Sequence, residues 1–90
     1  MKKTVVVGAT DNPTRYAYKA VHRLQQHGHE VVPVGIRKSE VGGKPIVTDL
    51  NQPIEDVDTV TLYVGPRNQP YWYDYILSLK PKRIIFNPGT

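Results

Sequence analysis

Lys2-Lys3-Thr4-Val5-Val6-Val7-Gly8-Ala9-Thr10-Asp11-Asn12-Pro13-Thr14-Arg15-Tyr16 is the stretch on which the reading of this chain turns. A β-branched run, Thr4 to Val7, ends in Gly8, and a polar turn then leads into a segment of helical periodicity. This is the opening β-turn-α of a nucleotide-binding α/β unit, in which the helix N-terminus is the anion site. Unpaired backbone N–H groups point there, and the macrodipole adds roughly half a positive charge. One glycine is a weaker signal than a full GxGxxG, so on this stretch alone an ordinary βα turn stays open as the alternative.

Working outward, strand one runs from about Lys3 to Gly8 and helix one from about Pro13 to His27. Asn12 is the expected N-cap, and Pro13 suits the first helical position. Ala17, Ala20, Val21 and Leu24 recur at i, i+3, i+4 and i+7, one buried stripe. Gly28 is expected to end the helix in the left-handed conformation, which makes His27-Gly28-His29 a helix end rather than a metal pair. Strand two is Glu30 to Gly35, with Pro33 near its C-terminal end, where a missing donor is tolerated. A flexible loop, Val41 to Lys44, precedes a short third strand, Pro45 to Thr48. Asp49 to Asp56 holds at most one helical turn because of Pro53. Strand four is Thr59 to Val64. Helix two spans about Asn68 to Leu79, with Trp72, Tyr75, Ile76 and Leu79 on its buried stripe, and Lys80-Pro81 stops it. Strand five is Arg83 to Phe86.

Strands alternating with helices imply a parallel sheet in an α/β, Rossmann-like three-layer fold. The expected strand order is 3-2-1-4-5, with the switch point between strands one and four. Ligands in such sheets lie beyond the strand C-termini at that crevice. Four tips should meet there: Gly8-Ala9-Thr10, Gly35-Ile36-Arg37, Tyr63-Val64-Gly65-Pro66 and Asn87-Pro88-Gly89. Glycine at or just past three of these strand ends suits a backbone that approaches a ligand or turns sharply.

Ninety residues suit one small domain, residues 1–90, able to bury about 60–65% of the surface of its unfolded chain. No stretch approaches the roughly 20 apolar residues of a membrane span, and the N-terminus lacks the apolar region of a signal peptide. Without cysteine there is no disulfide, thiolate metal site or thiol nucleophile. A cytoplasmic protein is the expectation. The net charge of +4 suits an anionic partner, yet the basic residues are spread rather than gathered in a stripe, which speaks against nucleic acid. A phosphate-bearing small molecule explains the balance better.

Which phosphate ligand is narrowed by what is missing. GxxxxGK[ST] is absent, which removes Walker-type NTPases. An NAD reader carries Asp or Glu at the end of strand two, and here that position is Gly35-Ile36-Arg37-Lys38. Two cations there favour a ligand with an extra ribose phosphate, NADP or coenzyme A; a solvated basic loop is the plainer alternative.

At this point the chain resembles a known family. Gly8-Ala9-Thr10-x-Asn12-Pro13-x-Arg15-Tyr16, Gly28-His29-Glu30-Val31, Asp58-Thr59-Val60 and the closing run from Leu79 to Asn87-Pro88-Gly89-Thr90 are similar to small bacterial and archaeal CoA-binding domain proteins. These in turn resemble the CoA-binding domain of the succinyl-CoA synthetase α subunit. The resemblance covers the whole chain. It implies a Rossmann-like domain that holds the nucleotide end of coenzyme A and has no catalytic residues of its own. Carried over position by position, it implies that Gly8, Ala9, Thr10, Asn12, Pro13, Arg15 and Tyr16 wrap the phosphates. It sets Gly35, Arg37 and Lys38 at the basic turn, Tyr63, Val64, Gly65 and Pro66 near adenine, and Asn87, Pro88 and Gly89 beside the pantetheine arm. Members usually continue past this last motif with another helix and strand. The expectation is therefore that one face of strands four and five is thinly covered, and that a closed homodimer shields it.

Catalysis needs a nucleophile or an acid–base pair at the pocket. His22, His27 and His29 fall on helix one or beyond its far end, and Asp11 reads as a turn or capping residue. The sequence therefore reads as a non-catalytic CoA-binding module. An NADP-binding domain is the second reading, and an interaction or structural fragment with an empty pocket the third.

Overall fold

The computed structural model describes residues 3–65 and 67–87. In chain order its elements are β1 (Lys3–Val7), α1 (Tyr16–Gln26), β2 (Glu30–Val34), β3 (Glu40–Val41), β4 (Lys44–Pro45), β5 (Val57–Leu62), α2 (Gln69–Ser78) and β6 (Arg83–Phe86). Four of the strands form one parallel sheet in the order β2-β1-β5-β6. The chain is thus a mixed α/β, Rossmann-like fold with its two helices on opposite faces of that sheet.

Strand alternation sorts the core. Val5 and Val7 of β1, Val60 and Leu62 of β5 and Val34 of β2 pack with Trp72, Tyr75 and Ile76 of α2. Val6 and Val31 face the other way and pack with Ala17 and Val21 of α1. β1 is central, and Val5, Val6 and Val7 are wholly buried, as a strand covered on both faces requires. The stripe read on helix two packs as a whole, and that on helix one packs at Ala17, Val21 and Leu24, while Ala20 lines a cavity on the same face.

Four boundaries differ from expectation, each for a local reason. Helix one begins at Tyr16 rather than Pro13. The Asn12 side chain does not cap it: Asn12 Oδ1 accepts from Thr14 N at 3.0 Å and Thr14 Oγ1 at 2.7 Å, and Arg15 N donates to Asn12 O at 3.1 Å. Asn12 closes a turn on itself, the alternative its short side chain always offers the backbone. Strand four lies two residues early, as β5, because its register is set by pairing Val5, Val6 and Val7 with Val60, Thr61 and Leu62. Val41-Gly42-Gly43-Lys44 is no flexible loop but the turn of the β3–β4 hairpin. Gly42 and Gly43 take φ of 60° and 76°, the signs a tight two-residue turn demands. The third strand, expected at Pro45–Thr48, shrinks to one parallel bridge between Val34 and Val47. Pro45 is already paired with Glu40 in the hairpin, and Asp49 starts a turn by accepting from Asn51 N at 2.9 Å. The order 3-2-1-4-5 therefore loses its outer strand and keeps the rest.

Pro33 costs the sheet nothing. Its carbonyl accepts from Val47 N at 2.9 Å, while its neighbour's carbonyl, Val34 O, turns inward toward Gly8 N. Amide and carbonyl of one residue point to the same side in a parallel ladder, so the N–H that Pro33 lacks would face the thin outer edge.

Helix one ends as the sequence indicates. Gly28 has φ 81°, Gly28 N donates to Gln25 O at 3.0 Å and His29 N to Leu24 O at 3.1 Å, a Schellman pair of bonds. No helix among the described residues is long and apolar enough to cross a membrane.

Among the described residues two buried side-chain polar atoms, His22 Nε2 and Tyr75 Oη, have no hydrogen-bond partner. Tyr75 Oη is buried without a hydrogen-bond partner, and burial pushes its phenol above the usual tyrosine range. Tyr75→Phe should therefore stabilise the fold by about 1 kcal/mol, because an unsatisfied buried hydroxyl is removed and the ring is kept. Urea denaturation reads this directly. The sign with pH follows from the raised value. The unfolded phenol ionises near its ordinary pKa while the folded one stays protonated, so the contribution of Tyr75 is whole below that pKa and falls away as pH rises through the folded value. The Phe variant should lose less stability on alkalinisation.

Candidate functional site

The C-terminal ends of β1, β2 and β5 open on a cleft of about 510 Å³. It sits where the chain leaves central β1 for β2 on one side while β5 lies on the other, the switch point of the sheet. Gly8, Ala9 and Thr10 form its floor. Gly8 N and Ala9 N both donate to Val34 O at 2.9 Å, which fastens this tip to β2. Gly8 has φ 91°, and a Cβ there would stand 2.6 Å from the backbone oxygen of Tyr63. Gly35 is similar beneath the floor: its Cβ would meet Ala9 O at 2.7 Å. Both glycines let neighbouring strand tips touch.

Three of the four expected tips meet here. Asn12, Arg15, Arg37, Tyr63, Val64 and Gly65 line the cleft with Gly8, Ala9 and Thr10. Pro13, Tyr16, Gly35 and Lys38 do not line it; Tyr16 borders a second cavity, on the α1 face of the sheet. Asn87 also lies in that second cavity, where its Nδ2 donates to Thr61 Oγ1 at 2.8 Å and Leu62 O at 3.0 Å. Pro66, Pro88 and Gly89 fall outside the described residues.

The electrostatics of the cleft favour an anion. Arg15 and Arg37 are exposed at its rim, and Lys3–Glu30, at the opposite end of the sheet, is the ion pair found among the described residues. Neither guanidinium forms an ion pair with a described carboxylate, although Asp11 also lines the cleft. α1 starts at this rim with no side-chain cap and no acidic residue in its first turn, so the N–H groups of that turn stay open. Thr10 Oγ1 accepts from Asn12 N at 3.2 Å and shapes the loop between floor and helix.

Sequence reasoning missed several lining residues: Ser39, Ile46, Asn68, Tyr71 and Trp72. Asn68 and Tyr71 could have been found, since they open the helix that follows a cleft-forming strand. Ser39 and Ile46 carried no signal, because only the hairpin brings them back across β2. Ile36 and Tyr71 stay 77% and 67% exposed, so the cleft offers two large apolar surfaces to whatever enters it. Asp11 is not a helix cap: its Oδ2 accepts from Ser39 Oγ at 2.6 Å and ties the floor loop to the hairpin. His27 and His29 border the second cavity, away from the cleft.

A family model described as a CoA binding domain matches residues 2–90. A crystal structure of an uncharacterized protein is 61% identical, with a TM-score of 0.94 over 100% of this chain and 74% of its own. A conserved hypothetical protein from Pyrococcus furiosus is 27% identical, with a TM-score of 0.86 over 99% of this chain and 77% of its own. A hypothetical protein from Pyrococcus horikoshii OT3 is 28% identical, with a TM-score of 0.80 over 92% and 58%. No curated protein matches the sequence.

Proposed function

The chain belongs to the CoA-binding domain family, and from that premise we propose that it binds coenzyme A or an acyl-CoA through the 3′-phospho-ADP half, without catalysis. The observation that carries this reading is the pair of guanidinium groups, Arg15 and Arg37, that line a cleft at the switch point of the sheet without an ion-pair partner among the described residues. In this reading Gly8, Ala9, Thr10 and Asn12 approach the pyrophosphate with backbone groups, and Arg15 neutralises it. Arg37 takes the ribose phosphate. Ile36 and Tyr71 supply flat apolar surface for the adenine, with Tyr63, Val64 and Gly65 as the wall beneath. Lys38, one residue farther, adds long-range attraction only. A cytoplasmic setting accords with a cysteine-free chain and a soluble cofactor.

Because Arg37 could equally receive a 2′-phosphate, an NADP-binding module is the second reading. Calorimetric titration with CoA, NADP and NADPH separates them. CoA should saturate one site, with both nicotinamide nucleotides at least tenfold weaker; a tighter NADPH isotherm reverses the assignment. On the non-catalytic reading, mixing the protein with acetyl-CoA or succinyl-CoA should release no thiol above background. Turnover abolished by Asp11→Ala would sink the non-catalytic reading.

A further inference from the structure

Asp11 is the one acidic side chain among the described residues that line the cleft, and phosphate binding alone gives it no task. A carboxylate repels phosphate, and an asparagine would accept the bond from Ser39 as well. Its placement is nevertheless closely fixed. Thr10 Oγ1 accepts from Asn12 N across it at 3.2 Å, and Asn12 Oδ1 in turn holds Thr14. Ser39, which donates to Asp11 Oδ2 at 2.6 Å, is itself anchored by Ile46 N, which donates to Ser39 O at 2.8 Å. The other carboxylate oxygen, Asp11 Oδ1, has no partner among the described residues.

Ser39 lies two residues beyond Arg37 on the turn that leaves β2. In doubly wound sheets that turn meets the ribose, and an acid at its start accepts from a ribose hydroxyl. This chain has Gly35-Ile36-Arg37-Lys38 there, but the fold brings an acid to the same turn from the loop after β1. Arg37 and Asp11 line the cleft without forming an ion pair with each other, so each keeps its bonding capacity for a ligand. A cation and an acceptor at one turn match a ribose that carries one phosphate and one neighbouring free hydroxyl. We propose that Asp11 Oδ1 accepts from the free 2′-hydroxyl beside the 3′-phosphate, and so selects a ribonucleotide over its deoxy counterpart. This assignment rests on the coenzyme A reading above.

Calorimetric titration of adenosine 3′,5′-bisphosphate and its 2′-deoxy form into the parent protein and into Asp11→Asn tests it. The parent should bind the ribose form about tenfold tighter, the size of one charge-assisted hydrogen bond. Asp11 is exposed, and Asp11→Asn keeps the side-chain shape and the bond from Ser39. This variant should bring the ratio of the two affinities below about threefold, because a neutral amide replaces the charged acceptor. The ratio is the readout, since removing a negative charge from an anion cleft tightens both ligands alike. Equal affinities in the parent overturn the proposal and leave the coenzyme A reading intact. A ratio that Asp11→Asn leaves unchanged also overturns it, and makes Asp11 a latch to Ser39 and no more. Binding of neither bisphosphate removes the coenzyme A reading, and this proposal with it.

Discussion

Gly8→Val is expected to unfold most of the protein, whatever its effect on any ligand. A Cβ at this position would stand 2.6 Å from Tyr63 O, 3.0 Å from Tyr63 C and 3.1 Å from Val64 Cγ2. Two of those atoms are backbone of the neighbouring tip and cannot rotate away. A side chain at φ 91° adds strain of about 1–2 kcal/mol, and forced overpacking adds about 1–3 kcal/mol more. Together these approach the whole stability of a small domain, about 5 kcal/mol at the lower end. The far-ultraviolet circular dichroism of Gly8→Val in urea should show a midpoint far below that of the parent. An unchanged midpoint would mean that the β1 and β5 tips do not pack as described. The sequence reading gave Gly8 the task of letting a pyrophosphate approach. The structure adds a prior reason, backbone against backbone, so this variant reports on folding before binding.

Arg37→Ala should weaken CoA binding at least tenfold and leave dephospho-CoA nearly unaffected. A charge-assisted hydrogen bond contributes about 1.5–3 kcal/mol, which is roughly tenfold to more than a hundredfold in affinity. Arg37 is exposed and has no ion-pair partner among the described residues, so its removal should not disturb the fold. With both ligands and both proteins the measurement becomes a double cycle, which isolates the contact with the ribose phosphate from general electrostatic attraction. Lys38→Ala is the control: it lies outside the cleft lining and should cost less than threefold. Equal losses for both ligands in Arg37→Ala would remove the phosphate role from this residue and leave it a non-specific attractor.

On the α1 face of β5 and β6, Arg83 Nε donates to Thr59 Oγ1 at 3.1 Å and Asn87 Nδ2 to Thr61 Oγ1 at 2.8 Å.

Sequence alone determined the parts set by nearest neighbours along the chain. Val5-Val6-Val7 could only be a strand buried on both sides, and the stripes Ala17-Val21-Leu24 and Trp72-Tyr75-Ile76 could only be core faces, because periodicity is a local property. Gly28 ended its helix for an equally local reason. The parallel sheet and its switch point followed from element order, and with them the neighbourhood of the cleft. Tertiary structure decided what depends on competition between distant segments. Asn12 closed a turn instead of capping a helix, and Pro45 joined a hairpin instead of an outer strand. Tyr16 and Asn87 went to the far side of the sheet, while Ser39, Ile46 and Tyr71 entered the cleft. In each case two partners of similar local merit were available, and the choice fell to register and packing, which no window of the sequence contains.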